Sequence, residues 1–413
     1  MKVTIISCVY PPEPVVSART SADVACGLQQ AGHTVLVITG LPHRPGGKLY
    51  PGYRRYLFHH DRHSGIPVLR CWGTFSHRST LISRFLENVT FGTTSACALL
   101  FTSRPDVIYA NTWPLFATGL MVLVTCLRHI PLVISVQDVY PESLLSQERT
   151  SEHNWLVRML RALDTWIAHQ SQIVITISER FAQIYRQERH VPAQRMSIIP
   201  NWADEVGEIE QSYHRAIRKQ HGFGEKDFVF VYGGNVGVAA GVQTVIKAIG
   251  QISSELPVRL LIAGDGSQLA ECKQLAEQTG MGRVAFYSPW PTEETSAVLK
   301  AADVLILPTR GKQALSSVPS KLISYMLAAR PVLALTHSKT DIDTVLEQAA
   351  CGWTVLPDQP ELLAYQMSEV MQLPVSELHR LGEQGRQYAL EYFSREKNVS
   401  LVIQTLQRAA RKG

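Results

Sequence analysis

The sequence predicts an α/β protein made of two doubly wound parallel-sheet domains. Short β-rich runs alternate with helical stretches along most of the chain, and the alternation restarts after Asp204. The polar, helix-like stretch Gly207–Lys226 separates the two series. Repeated βαβ alternation calls for a parallel sheet covered on both faces. A length of 413 residues suits two or three ordinary domains.

The first series predicts strands at Val3–Ser7, Thr34–Thr39, Val68–Cys71, Val107–Ala110, Leu132–Val136 and Ile173–Ile177, with a helix near Arg19–Ala31. The second predicts strands at Phe228–Gly233, Val258–Ala263, Val284–Tyr287, Val304–Leu307 and Val332–Leu335. The expected borders are 1–204 and 205–385, with a last helix over 386–413 that returns to the first domain. The apolar run Leu115–Leu127 is too short to cross a membrane and is expected as a buried helix. Two such sheets face a cleft, and ligands in doubly wound sheets sit at the carboxyl ends of the strands.

Composition narrows the classes. Apolar residues make up 45% of the chain, enough for full-sized cores. A net charge of +5 does not indicate a bulk nucleic-acid binder. Seven scattered cysteines form no CxxC pair, which argues against a zinc site or disulfide framework and for a reducing compartment. Met1-Lys2-Val3-Thr4 runs directly into a strand pattern rather than a signal peptide. The first strand is followed by Tyr10-Pro11-Pro12-Glu13-Pro14, without the glycines of a nicotinamide or flavin fingerprint.

The densest chemistry lies at Ser317-Val318-Pro319-Ser320-Lys321. A polar turn with Pro319 enters a helix whose first turn carries Lys321, and Ser317 and Ser320 are suitable caps. A helix start offers unpaired N–H groups and partial positive charge, and an added lysine gives a seat for phosphate. A capped helix with a solvated lysine is the plainer reading. The turn Gly233-Gly234-Asn235-Val236-Gly237 lets backbone approach a ligand closely, or is simply a flexible βα turn. Ala263-Gly264-Asp265-Gly266-Ser267 reads equally as a ligand-side turn or a helix cap. Arg310 and Lys312 follow a strand end, and with Lys321 they put three cations near one sheet edge. Cations so placed would stabilise a departing diphosphate, although either loop charge could be merely solvated.

These segments, taken in order with Ala31-Gly32-His33-Thr34-Val35, Pro51-Gly52-Tyr53-Arg54, Gln137-Asp138-Val139-Tyr140-Pro141-Glu142-Ser143 and Ile199-Pro200-Asn201-Trp202, resemble the GT-B glycosyltransferases of family 4. The pattern is most similar to the bacterial polysaccharide subgroup of colanic-acid fucosyltransferase-like and N-acetylfucosamine-transferase-like enzymes. The resemblance implies a retaining, metal-independent transfer from a nucleotide sugar of UDP-N-acetylhexosamine or GDP-fucose type. The acceptor would be a polyprenyl-diphosphate-linked saccharide, and no cofactor is implied. It places Gly234, Asn235, Gly237, Gly264, Arg310, Lys312, Ser317, Pro319, Ser320, Lys321 and Ser324 on the donor side. Asp138 would face the transferred sugar, with Tyr10, Glu13, Arg19, Gln137 and Glu142 toward the acceptor. Asp138 could instead be a turn residue before Pro141, and Arg19 a helix cap. The chain departs from the family where two glutamates are common: Ser316 and Ser324 stand there. A sugar-nucleotide epimerase of the same fold and a non-catalytic transferase-like partner are the competing readings.

Residues 41–90 hold eight Arg or Lys against two acids, with interleaved aromatics. With an amphipathic helix at Leu81–Leu100, this predicts contact between region 41–100 and the inner face of the cytoplasmic membrane. A solvated basic loop and a core helix are the alternatives.

Overall fold

The computed structural model describes residues 1–411 apart from 45, 76–80, 113, 143–154, 204–210, 280–281 and 311–318. Ser143, Asp204, Lys312, Ser316 and Ser317, named above, lie outside the described residues. The chain divides into two compact units, Met1–Asn201 with Arg395–Gly413, and Trp202–Ser394.

The first unit is an eight-stranded sheet. Its strands are β1 (Lys2–Ser7), β2 (Thr34–Gly40), β3 (Phe58–His63), β4 (Ile66–Cys71), β5 (Val107–Asn111), β6 (Leu132–Val136), β7 (Ile173–Thr176) and β8 (Met196–Ile198). They lie in the order β3-β4-β2-β1-β5-β6-β7-β8. Only β3 runs antiparallel, paired with β4. β5 and β6 are buried at every position, as a parallel strand covered on both faces must be. Helices Leu81–Phe101, Leu115–Leu127 and Trp155–Gln170 share one core with this sheet, built around Ile6, Ile38, Ile108 and Ile134. Helices Val16–Gln30 and Arg395–Ala410 pack together so closely that a Cβ on Gly27 would lie 2.4 Å from Val399.

The second unit has six parallel strands: β9 (Phe228–Gly233), β10 (Val258–Ala263), β11 (Val284–Tyr287), β12 (Val304–Leu307), β13 (Val332–Leu335) and β14 (Gly352–Val355). Their order is β11-β10-β9-β12-β13-β14. The two-residue side-chain period sends Val229 and Val231 into one core and Phe230 and Tyr232 into the other. In both sheets the strand order reverses beside the first strand of the unit, between β1 and β5 and between β9 and β12. That reversal is where doubly wound sheets open a crevice at the carboxyl ends.

Three strands go beyond the sequence reading. β3 is Phe-His-His-Asp-Arg-His, an edge strand with little apolar signal. Its hairpin to β4 turns through Ser64 and Gly65, both with positive φ, as a tight hairpin turn requires. β8 and β14 are only three and four residues long. The Leu115–Leu127 run is helical but one-sided, since Leu123 and Leu127 are exposed.

Candidate functional site

In the second unit, the ends of β9, β10 and β12 converge at the reversal of strand order. The loop after β9 and the loop after β10 are zipped together: Gly234 N donates to Ala263 O at 2.8 Å, and Val236 N donates to Asp265 O at 2.9 Å. Gly264 has a φ of +148°, and a Cβ there would sit 1.9 Å from the carbonyl oxygen of Gly234. Only glycine admits that approach of backbone to backbone.

Helix Ser320–Leu327 is bolted to the first of these loops by two side chains four residues apart, hence on one helical face. Tyr325 Oη accepts from Gly233 N at 2.9 Å and donates to Gly233 O at 3.0 Å. Lys321 Nζ donates to Tyr232 Oη at 2.7 Å, and Tyr232 Oη donates to Asn235 O at 2.6 Å. The ammonium also lies 4.8 Å from the Tyr232 ring centroid. Gly234, at φ +149°, leaves room for this side chain, because a Cβ would come within 2.2 Å of Lys321 Cε.

No carboxylate pairs with Lys321 among the described residues. Burial alone lowers its pKa to about 8. The helix start has Pro319 at the cap position, and its side chain makes no cap bond to the first N–H groups. Ser320 is therefore the first helical residue rather than the cap expected from sequence. The result is a partly desolvated cation beside a helix start and a glycine turn, an arrangement that favours an anion.

The other donor-side expectations fall unevenly. Asn235 is exposed at the turn, and a Cβ on Gly237 would lie 2.9 Å from its Nδ2. Arg310 lies at the same edge, its N donating to Ala239 O at 3.2 Å, but its guanidinium is 3.9 Å from Asp358 in an exposed pair. Ser324 Oγ bonds back to Ser320 O at 3.2 Å. Tyr232 and Tyr325 were not singled out from sequence. The spacing of four between Lys321 and Tyr325 is the signal that finds the second.

In the first unit, most of the expected acceptor residues already have structural partners. Glu13 is buried and accepts from the backbone N–H groups of His43 and Arg44 at 3.0 and 2.9 Å. It pins the loop after β2 and does not present a free carboxylate. Tyr10 is fully buried, and its hydroxyl has no partner among the described residues. Arg19 is exposed in the first turns of helix Val16–Gln30, not at its cap, which is Val15. Gln137 Nε2 donates to Ser135 Oγ at 3.0 Å.

Glu142, expected toward the acceptor, is bound by Arg189 at 2.7 Å and by Arg161 at 3.3 Å. Arg189 has no exposed surface and holds Asp164 at 3.0 Å, Glu188 at 3.2 Å and the Tyr140 carbonyl at 2.9 Å. Tyr185 Oη donates to Asp164 Oδ1 at 2.7 Å. Burial pushes the Asp164 carboxyl up to about 6, against the pull of Tyr185 and Arg189. This hub fixes the loop after β6. No local pattern betrays it, since all its partners but the adjacent Glu188 lie 25 to 49 residues from Arg189. Asp138, on the same loop, is accessible and forms no ion pair among the described residues, while partial desolvation raises its carboxyl above the ordinary range.

Two family models match the chain: "Glycosyl transferase 4-like domain" over residues 17–202 and "Glycosyl transferases group 1" over residues 214–388. WbjE of Pseudomonas aeruginosa, named as a glycosyltransferase, is 25% identical over 79% of this chain and 82% of its own. WcaI of Escherichia coli K12, named as a glycosyl transferase of colanic acid biosynthesis, is 23% identical over 91% of this chain and 93% of its own. Among solved structures, Anabaena HepE in complex with UDP superposes with a TM-score of 0.72 at 16% identity, over 99% of this chain and 100% of that one. WaaG, a glycosyltransferase involved in lipopolysaccharide biosynthesis, superposes with a TM-score of 0.68 at 17% identity, over 97% of this chain and 99% of that one. Two parallel-sheet units with these models and relatives place the chain in glycosyltransferase family 4, as an enzyme of the GT-B fold.

Proposed function

We propose that this glycosyltransferase moves a sugar from a nucleotide-sugar donor to a lipid-linked saccharide in bacterial surface-polysaccharide assembly, retaining the anomeric configuration and using no metal. The observation that carries the donor side is Lys321, an ammonium held out of water beside Gly234 at a helix start, with Tyr232 alone as its hydrogen-bond partner among the described residues. The HepE structures, in complex with UDP, with UDP and glucose, and with UDP-glucose, support a donor of the uridine type. The relationship to WcaI supports a place in polysaccharide assembly.

In this reading the diphosphate lies against the Gly234–Gly237 turn and the amides of Ser320 and Lys321. The acceptor hydroxyl oxygen attacks the anomeric carbon on the face the diphosphate leaves. The carbon–phosphate-oxygen bond breaks, its electron pair stays on the diphosphate, and the hydroxyl proton passes to the departing phosphate oxygen. Lys321 stabilises the charge that develops there. Asp138 accepts hydrogen bonds from the transferred sugar and orients it. A lipid-linked acceptor puts the enzyme on the cytoplasmic side, peripheral to the inner membrane face.

The test is transfer from labelled UDP-N-acetylhexosamines, UDP-glucose and GDP-fucose to a polyprenyl-diphosphate-linked saccharide, with and without EDTA. The product anomer is read by NMR. One donor should give a product of unchanged configuration whose yield is indifferent to EDTA. Epimerised nucleotide sugar without transfer would assign the chain to the epimerases. Nucleotide binding without turnover on any donor would assign it to non-catalytic partners.

A further inference from the structure

We infer that Tyr232 is a positioning residue of the donor site, whose hydroxyl aims the Lys321 ammonium and ties it to the glycine turn that would carry the diphosphate. The inference deepens the donor-side reading just given and rests on it.

The direction of each hydrogen bond follows from the donors available. An ammonium has three N–H donors and no lone pair, and a phenol has one O–H and accepts on its oxygen. Between Lys321 Nζ and Tyr232 Oη, 2.7 Å apart, only this arrangement leaves the phenol proton for the Asn235 carbonyl at 2.6 Å. Asn235 lies within the Gly234–Gly237 turn, so one hydroxyl joins the cation of helix Ser320–Leu327 to the backbone of that turn. The ammonium keeps two further N–H groups for a bound anion.

The lysine stem is confined as well. It folds over Gly234, where a Cβ would lie 2.6 Å from Nζ, and its ammonium lies 4.8 Å from the Tyr232 ring centroid. A flexible lysine loses rotamer freedom when it grips an anion, and a stem fixed in advance avoids that loss.

Tyr325 supplies the contrast. Pairing of β9 with β12 ends at Val231, and the N–H and C=O of Gly233 turn to Tyr325 Oη instead. That phenol stands in for a missing strand and bonds to backbone, whereas Tyr232 bonds to a charge. Burial holds the Tyr232 phenol far above its ordinary range, so it stays protonated while Lys321 titrates. Tyr232→Phe keeps the ring and removes only the oxygen that favours the ammonium, and loss of such an acceptor lowers a lysine pKa.

Carbon-13 NMR of protein labelled at lysine Cε, without nucleotide, reads the amine directly, with the Lys321 signal assigned by its absence in Lys321→Arg. Wild type should titrate near 8. Tyr232→Phe should titrate about one unit lower, the shift equivalent to a tenfold loss of ammonium stabilisation. At pH 6, where Lys321 is largely charged in both proteins, calorimetry should show UDP, or GDP if UDP does not bind, held about tenfold more weakly by the variant at a similar melting temperature. Tyr325→Phe should melt lower, because it strands the Gly233 backbone groups, and leave the Lys321 titration in place. An unmoved titration or an unchanged nucleotide affinity in Tyr232→Phe would overturn the inference and spare the donor site. An equal shift in both phenylalanine variants would make the effect one of packing and overturn it too. A wild type that binds neither nucleotide would overturn the donor-side reading, and this role with it.

Discussion

Lys321 and Arg189 are both cations drawn out of water, and they are handled in opposite ways. Arg189, in the first unit, is saturated: three carboxylates and a carbonyl surround it, and its pKa is raised above an already high value. Lys321, in the second, has a phenol oxygen and a ring face, and its pKa falls to about 8. A buried charge that the fold neutralises is architecture. A desolvated charge the fold leaves unneutralised carries a cost that a bound anion relieves, which is why such groups gather at functional sites.

Removing each cation sharpens the contrast most. Lys321→Ala should lower kcat/KM on the order of 10³-fold, the loss expected when a donor to developing charge is deleted. Its melting temperature should hold or rise. Arg189→Ala should cost about 3–5 kcal/mol of stability, because it strands Asp164 and Glu142. Denaturant unfolding read alongside nucleotide binding separates the two, and the contrast fails if Lys321→Ala is the variant that unfolds. Gly264→Ala forces a Cβ onto the Gly234 carbonyl. It should cost about 1–3 kcal/mol and weaken nucleotide binding with it, as calorimetry on the purified variant would show.

The pH dependence sets the two cations apart without mutation. Lys321 binds an anion as the ammonium, so nucleotide affinity should be full below about 8 and fall as pH rises through it, by up to about tenfold per unit. The sign for folding without ligand is reversed. A lysine depressed in the native state binds its proton more tightly when unfolded, so its contribution makes the empty protein more stable as pH rises through about 8 toward 10.5. Arg189 contributes nothing in that window. A flat affinity between pH 7 and 9 would remove Lys321 from the anion seat. The smallest effect is expected at Ser324, whose hydroxyl now bonds to Ser320. Ser324→Glu restores the residue common in the resembling family and should tighten nucleotide binding about fivefold, the worth of one added hydrogen bond. An unchanged affinity would show that this position does not reach the ribose.

The comparison also explains what could be read from sequence. Parallel strands buried on both faces leave continuous apolar runs, so β5, β6, β9 and β10 were plain, whereas the edge strand β3 shows only a Ser-Gly turn. Lys321 was legible because its neighbours in sequence, Pro319 and the helix it opens, are its neighbours in space. The partners of Glu13 and Glu142 were not legible, because a loop carboxylate gives no sign of them. Those partners are backbone amides 30 and 31 residues away for Glu13 and Arg189 47 residues away for Glu142. The burial of Tyr10 was hidden for a related reason: it follows a strand in a loop, yet its ring is drawn wholly into the core.

The most direct test of the account is the thermal shift of wild type and Lys321→Ala with UDP. At 100 times Kd a ligand stabilises by about 2.7 kcal/mol, a clear rise in melting temperature. The account predicts that rise in wild type and its loss in Lys321→Ala, with the two proteins melting alike, or the variant somewhat higher, when empty. An equal rise in both proteins would contradict it, because the diphosphate would then be held without Lys321.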